Sequence, residues 1–123
     1  MGTRKFTVSL TSGVGVGTAY TPYLSGFLQS IEYIKTDYTD GVDFTITSDA
    51  TGEGIWTETN VNASTIRYPR AATHGADGVA SLYVALGTAV NDRIALGRDR
   101  VKIVLAQAGT SKTGAFAVVM ADK

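Results

Sequence analysis

The single histidine is the first place to look for catalysis. His74 lies in a stretch rich in glycine and alanine, residues 71–80. Hydrolases of the triad type use a base that titrates near neutral pH, which is normally a histidine. One isolated histidine in a loop instead predicts a solvent-exposed or incidental role. The chain also has no cysteine and no cluster of zinc ligands, so we expect no catalytic residue, no metal and no cofactor.

Three aspartates could hold a cation. Asp37, Asp40 and Asp43 recur at three-residue spacing around a glycine, and carboxylate oxygens are the ligands that calcium prefers. The spacing differs from that of an EF-hand loop, and in a strand Asp40 and Asp43 would face opposite sides. The sequence favours a solvated turn at residues 37–43, with a bound ion as the alternative.

Two glutamates flank the only tryptophan, an arrangement seen where carboxylates and an aromatic ring act on a sugar. Glu53 and Glu58 are five residues apart on one predicted strand, however, so their side chains should face opposite sides. We interpret them as unrelated surface groups and place Trp56 in the core or at an interface. A carbohydrate-binding module remains an alternative, with a stacking platform formed by Trp56, Tyr20, Tyr23 and Tyr68.

Arginine and tyrosine concentrate around Pro69, where Arg67, Tyr68 and Arg70 lie together. With Arg93, Arg98 and Arg100 they could form a basic aromatic face for nucleic acid. The net charge of zero opposes this, because phosphate binding depends on an excess of positive charge. Arginine and tyrosine are also favoured at protein–protein interfaces. The sequence therefore predicts a partner-binding site formed by Arg67, Tyr68, Arg70 and Trp56.

The charge is distributed unevenly along the chain. Residues 1–61 carry three basic and seven acidic side chains, whereas residues 62–123 carry eight basic and four acidic ones. The two halves are thus oppositely charged, at −4 and +4. Either these charges pair within the monomer, or they polarise the surface that meets a partner.

Alternating apolar and polar residues predict strands with one face on a core. The clearest case is VDFTIT, residues 42–47, which places Val42, Phe44 and Ile46 on one face. The longest predicted strand, residues 26–36, accommodates a bulge. Strands are predicted over residues 5–10, 26–36, 42–47, 55–59, 64–68, 93–96, 101–105 and 115–119. The expected core includes Phe44, Ile46, Val101, Ile103, Phe116 and Val118.

The last two predicted strands, residues 101–105 and 115–119, are nearly continuous in apolar residues and should be central. The glycine-containing segment between them predicts that they pair as a hairpin. Residues 81–90 are compatible with either a helical turn or an irregular loop. The predicted strands are short, and no segment shows the apolar stripe of a long amphipathic helix. The architectures that remain are a β-sandwich, a jelly roll or a small barrel.

The length of 123 residues fits a single domain, residues 1–123. No apolar run approaches the roughly 20 residues that span a bilayer, and the N-terminal segment lacks the apolar stretch of a signal peptide. The sequence therefore predicts a soluble, unprocessed, all-β chain that contacts neither a membrane nor a nucleic acid.

Three segments resemble small proteins encoded among the head genes of tailed bacteriophages. They are residues 33–57 (YIKTDYTDGVDFTITSDATGEGIWT), 64–71 (STIRYPRA) and 99–120 (DRVKIVLAQAGTSKTGAFAVVM). The likeness spans most of the chain and rests on the order VDFTIT, YPR, VKIV, GxxKTG and a final apolar strand. It includes no catalytic signature.

The resemblance implies a head decoration, or cement, protein: a jelly-roll-like, antiparallel two-sheet β-sandwich bound in multiple copies to the outside of the capsid. The implied partners are the major capsid protein and further copies of the chain, as a homodimer or homotrimer. The implied location is the virion surface after assembly in the host cytoplasm. A tail or connector protein is the nearest alternative within the virion.

Overall fold

The alternating segments form β-strands in the computed structural model, which describes residues 3–74, 76–79, 81–82, 87 and 90–122. No helix, and hence no helix able to span a membrane, occurs in these ranges. The strands are β1 (Thr3–Thr11), β2 (Gly17–Tyr20), β3 (Leu24–Lys35), β4 (Val42–Ser48), β5 (Gly54–Val61), β6 (Thr65–Arg67), β7 (Arg70–Ala72), β8 (Asn91–Asp99), β9 (Val101–Ala106) and β10 (Thr113–Ala121).

The strands assemble into two sheets in which every pairing is antiparallel. The first sheet has the order β1-β10-β3-β8-β7, and β6 also pairs with β3. The second sheet has the order β2-β9-β4-β5. Buried side chains from both sheets form one hydrophobic cluster. The predicted all-β fold with two antiparallel sheets is therefore confirmed, and it is a β-sandwich.

The long strand β3 shares one of its edges between two partners. Residues 24–28 pair with β8, and residues 31–33 pair with β6. The register shifts between Leu24 and Gly26 on the β8 side, and opposite residues 28–30 on the β10 side. The bulge expected in this strand is confirmed, and it leaves Gln29 between the two partners, where its backbone carbonyl needs another donor.

The inward faces of the central strands supply the core. In β4, Val42, Phe44 and Ile46 are buried, whereas Thr45 between them is exposed. All six residues that the sequence placed in the core are 2% exposed or less: Phe44, Ile46, Val101, Ile103, Phe116 and Val118. The period-2 pattern therefore identified the core faces, because side chains alternate between the faces of a strand.

The predicted C-terminal hairpin is wrong. β9 pairs with β2 and β4 in the second sheet, whereas β10 pairs with β1 and β3 in the first. The connecting segment crosses from one sheet to the other, and Ser12 and Thr39 hold it there through hydrogen bonds to the carbonyls of Gly109 and Gln107. Alternation reports which face of a strand is buried, but it does not report which sheet contains the strand. Both strands are central, as predicted.

The segment for which a helical turn or a loop was expected, residues 81–90, lies largely outside the described residues. Within it, the backbone amide of Val90 donates to the carbonyl of Ser81, and Thr73 bonds to both residues. These bonds connect the end of β7 to the start of β8.

Replacing Phe44 by alanine should lower the free energy of unfolding by about 3–5 kcal/mol, since it removes a large buried ring. Phe44 is 2% exposed and contacts the rings of Tyr33, Trp56 and Phe116. Urea unfolding followed by tryptophan fluorescence measures the change. The matched control is Thr45→Ala on the exposed face of the same strand, which should change stability by about 0.5 kcal/mol or less. Equal losses in both variants would contradict the assigned facing.

Candidate functional site

The predicted partner-binding residues lie at one edge of the sandwich, where β5 of the second sheet lies beside β6 of the first. Trp56 on β5 is only 8% exposed, and its ring packs edge-on against Phe44 at 4.6 Å between centroids. Its indole nitrogen donates to Oε1 of Glu58 at 2.8 Å. Trp56 is therefore part of the core of its own chain, and its polar edge binds a neighbouring carboxylate.

Arg67 connects the two sheets at this edge. It lies on β6 of the first sheet, yet its Nε and Nη2 atoms donate to the two carboxylate oxygens of Glu58 on β5, each at 3.1 Å. Nη1 donates to the hydroxyl of Thr65 and to the carbonyl of Ile66, and the guanidinium lies 5.9 Å from the ring of Trp56. All three guanidinium nitrogens of Arg67 are thus hydrogen-bonded within the chain. We call the group Trp56, Glu58 and Arg67 the Arg67 edge.

Arg70 fills the gap on β3. Its Nη1 donates to the carbonyl of Gln29 at 3.2 Å and to that of Pro69 at 2.8 Å. The first of these carbonyls belongs to the residue that lies between the partners β8 and β6. Tyr68 differs from the other predicted residues because its side chain, 58% exposed, makes no hydrogen bond or ring contact within the described residues. Contact of these four residues with a partner stays a prediction.

A second arginine and tyrosine group lies at the end of the sandwich that carries the β2–β3, β4–β5 and β8–β9 connections. The guanidinium carbon of Arg100 is 4.0 Å from the ring centre of Tyr20 and 5.4 Å from that of Tyr23. Its Nε donates to Oδ2 of Asp49 at 2.8 Å. We call Tyr20, Tyr23, Asp49 and Arg100 the Arg100 corner. The sequence marked both tyrosines and Arg100 as candidates, but for different sites.

The backbone at this corner is fixed by buried polar side chains. The carboxylate of Asp99 accepts hydrogen bonds from the hydroxyl of Ser48 and from the amides of Ala50 and Arg100. Ser48 and Asp99 are both buried. These bonds tie the β4–β5 turn to the β8–β9 corner, so they hold the backbone from which the side chain of Arg100 extends.

Thr21 fixes the other side of the corner. Its buried hydroxyl accepts from the amide of Val101 at 2.9 Å, and its own amide donates to the carbonyl of Val101 at 3.0 Å. The tyrosines on either side of Thr21 and Pro22 are thereby held next to Arg100. Rigid presentation of this kind lowers the ordering cost of a contact.

The same hydrogen bonds alter the acidity of Asp99. The hydroxyl of Ser48 contributes most to lowering the pKa of Asp99, followed by the amides of Arg100 and Ala50 and the charge of Arg100, while burial opposes them. The pKa of Asp37 is lowered chiefly by the backbone amide of Thr113. In both residues the protein stabilises the ionised carboxylate.

The three aspartates considered for a cation have separate partners. Asp37 accepts from the amide and hydroxyl of Thr113, and Asp40 pairs with Lys35. Asp43 accepts from the amide of Asn60 and the side chain of Gln107. Within the described ranges, no three His, Cys, Asp or Glu side chains are grouped as metal ligands.

The aromatic residues considered for sugar stacking do not form one row. Tyr20 is on β2 and Trp56 on β5, which are opposite edges of the second sheet. Tyr68 follows β6, which belongs to the first sheet. Trp56 is also buried, and the described part of the chain forms no pocket.

His74, the histidine considered for catalysis, is exposed.

Part of the charge asymmetry along the chain is neutralised by internal ion pairs. Arg67 pairs with Glu58 and Arg100 with Asp49, so two bases from the second half meet acids from the first. Arg4 pairs with Asp122, so here a base from the first half meets an acid from the second. The expectation that the halves pair within the monomer is confirmed for these groups.

Comparison of the chain with protein-family models, curated proteins and solved structures finds no match.

The Arg67–Glu58 pair should contribute a coupling energy of about 0.5–1 kcal/mol to stability, measured with Arg67→Ala, Glu58→Ala and the double variant. The pair is bidentate, but its side chains are partly exposed, and added salt should weaken the coupling. The matched control is Arg4 with Asp122, a single contact in which the arginine is equally exposed and the carboxylate is more exposed, and for which the coupling should be close to zero. Equal coupling in the two pairs would contradict a special role for the Arg67 edge.

Replacing Asp99 by asparagine should lower stability at neutral pH by about 1–3 kcal/mol, because charge-assisted hydrogen bonds are lost. The lowered pKa means that the folded state binds the proton of Asp99 less readily than the unfolded state. Its stabilisation is therefore present above the unfolded pKa, about 3.9, and is lost as pH falls through the lower folded value. Urea unfolding at about pH 7 and about pH 3 should show a smaller pH dependence in Asp99→Asn. The exposed Asp92→Asn is the control, and an unchanged pH dependence in Asp99→Asn would contradict this assignment.

Proposed function

We propose that the chain is a head decoration, or cement, protein of a tailed bacteriophage, which binds the outer surface of the assembled capsid and stabilises it without catalysis. The observation that carries this proposal is the rigid presentation of arginine and tyrosine at the Arg100 corner. Arg and Tyr are the side chains most enriched at the energetic centres of protein interfaces. The sequence resemblance described above adds the virion context.

The strand pairing supports a more specific fold within this proposal. β1 pairs with β10, β2 with β9, β3 with β8, and β4 with β5. Leaving aside the short strands β6 and β7, the first strand thus pairs with the last, the second with the next to last, and so on inwards. Such a nested hairpin, wrapped into two four-stranded sheets, is the topology of a jelly roll. We infer that the sandwich is of this type, which is common in capsid proteins.

The mechanism follows from mass action. A protein that binds only the assembled lattice stabilises it by about 2.7 kcal/mol per site when its free concentration is one hundred times Kd. An oligomer that contacts several lattice subunits at once gains further through effective concentration. We propose that the chain acts as a dimer or trimer of this kind, with the major capsid protein as its partner.

Shells that lack this chain should assemble but break more easily. We expect particles from a phage with the gene deleted to lose infectivity at a lower temperature, and after milder osmotic shock, than wild-type particles. Adding the purified chain to particles that lack it should restore their survival of heat and osmotic shock. The control is an equal concentration of an unrelated β-sandwich protein of similar size.

Equal survival of decorated and undecorated particles would reject the cement role. A mass-spectrometric inventory of separated heads and tails distinguishes the alternatives. The decoration role requires the chain in the head fraction at a copy number comparable with that of the capsid protein. Its presence in the tail fraction alone would favour a tail or connector role instead.

A further inference from the structure

Arg100 has hydrogen-bond donors left over. Its Nε is bonded to Asp49, and within the described part of the chain no acceptor is bonded to Nη1 or Nη2. About a third of the side chain is exposed. The rings of Tyr20 and Tyr23 lie beside the guanidinium and are themselves 40% and 62% exposed. A partly covered guanidinium with a free edge is thus presented at the surface.

This situation is the opposite of that at the Arg67 edge. There every guanidinium nitrogen has an acceptor within the chain. The same residue types therefore have different roles at the two places, and Arg67 holds two strands together while Arg100 keeps donors available. The side chain of Asp49 orients the free edge, because it holds Nε on the opposite side of the guanidinium.

The neighbouring charges favour an acidic ligand. Arg98 and Lys102 lie two residues before and after Arg100, and neither forms an ion pair within the described residues. Lys102 is directly opposite Tyr20 in the register of β9 and β2. The free Nη1 and Nη2 pair match the two oxygens of a carboxylate, which arginine binds in bidentate geometry.

We propose that the Arg100 corner binds an acidic side chain of the capsid protein, with the carboxylate on the free edge of Arg100 and the rings of Tyr20 and Tyr23 covering the contact. The proposal rests on the decoration role and identifies the contact through which it acts. A nucleic acid is disfavoured as the ligand, because binding along a phosphate backbone depends on an excess of positive charge and the net charge of the chain is zero. On this proposal the contact lies at this end of the sandwich, and a contact at residues 67–70 is the alternative outcome of the test.

Two matched tyrosine variants test the location. Tyr23 and Tyr68 have nearly equal exposure, 62% and 58%, and lie in different parts of the fold. We expect Tyr23→Ala to weaken binding of the purified chain to undecorated shells roughly tenfold to thirtyfold, whereas Tyr68→Ala should bind like the wild type. Arg100→Gln should weaken binding by a similar factor, and the salt dependence of binding should decrease with it. Circular dichroism and urea unfolding confirm that each variant is folded.

The reverse result, loss of binding in Tyr68→Ala and normal binding in Tyr23→Ala, would overturn the proposed contact at the Arg100 corner. It would leave the decoration role intact. Failure of the wild-type chain to bind any shell would instead reject the decoration role. The two failures are therefore distinguishable.

A second measurement tests the chemistry of the corner without shells. A hexaglutamate peptide added to the labelled chain should shift the NMR signals of the Arg100 Nε–H group and of the Tyr20 and Tyr23 rings. A hexalysine peptide should not. These shifts should be absent in Arg100→Gln and retained in Tyr68→Ala. No shift with hexaglutamate, or an equal shift with a neutral oligosaccharide, would overturn the proposed acidic ligand.

Discussion

Five aromatic rings join the two sheets across the core, and the remaining structure is arranged around their contact. Phe44 on the second sheet lies 5.3 Å from Tyr33 and from Phe116 on the first. Tyr38, from the β3–β4 connection, stacks parallel to Tyr33, and its hydroxyl bonds to the carbonyl of Leu10. Gly114 is required beside it, since a Cβ atom there would come within 2.2 Å of the Tyr38 ring. The Tyr33 hydroxyl has no hydrogen-bond partner among the described residues, and its burial raises its pKa to about 12, so it stays protonated.

Polar side chains stabilise the places that apolar packing leaves open. At one edge of the sandwich, Arg67 reaches across to Glu58, which also accepts the hydrogen bond from the indole nitrogen of Trp56. At the end that carries the corner, the buried carboxylate of Asp99 links two connections through their backbone amides. Both arrangements satisfy groups that would otherwise be costly to bury. The proposed role of the chain depends on this rigidity, because a contact on a fixed surface loses less conformational entropy on binding.

Much of the fold could be predicted from local patterns. The facing of β4, the bulge in β3 and the central position of β9 and β10 follow from alternation and from continuous apolar runs. The pairing of β9 with β10 could not be judged in this way, since both strands have the composition of central strands in either arrangement. The partner-binding site predicted at residues 67–70 stays a prediction, but its contacts within the chain could not be read from composition either. Residues 67–70 have the composition of an interface. Composition does not show, however, that Arg67 donates hydrogen bonds to Glu58, or that Arg70 donates one to the carbonyl of Gln29.

The sequence by itself determined the fold class, eight of the ten strands in the described residues and the buried faces, because the period-2 pattern depends only on neighbours along the chain. It missed the short strands β2 and β7. The tertiary structure alone decided which sheet each strand joins and which arginines keep free donors. Arg100 and Asp49 are 51 residues apart, and Arg100 and Tyr20 are 80 apart. Their meeting follows from the crossing of β8 to β9 beside the β2–β3 and β4–β5 connections. Such long-range contacts have no local signature, since they arise only when the two sheets are packed together.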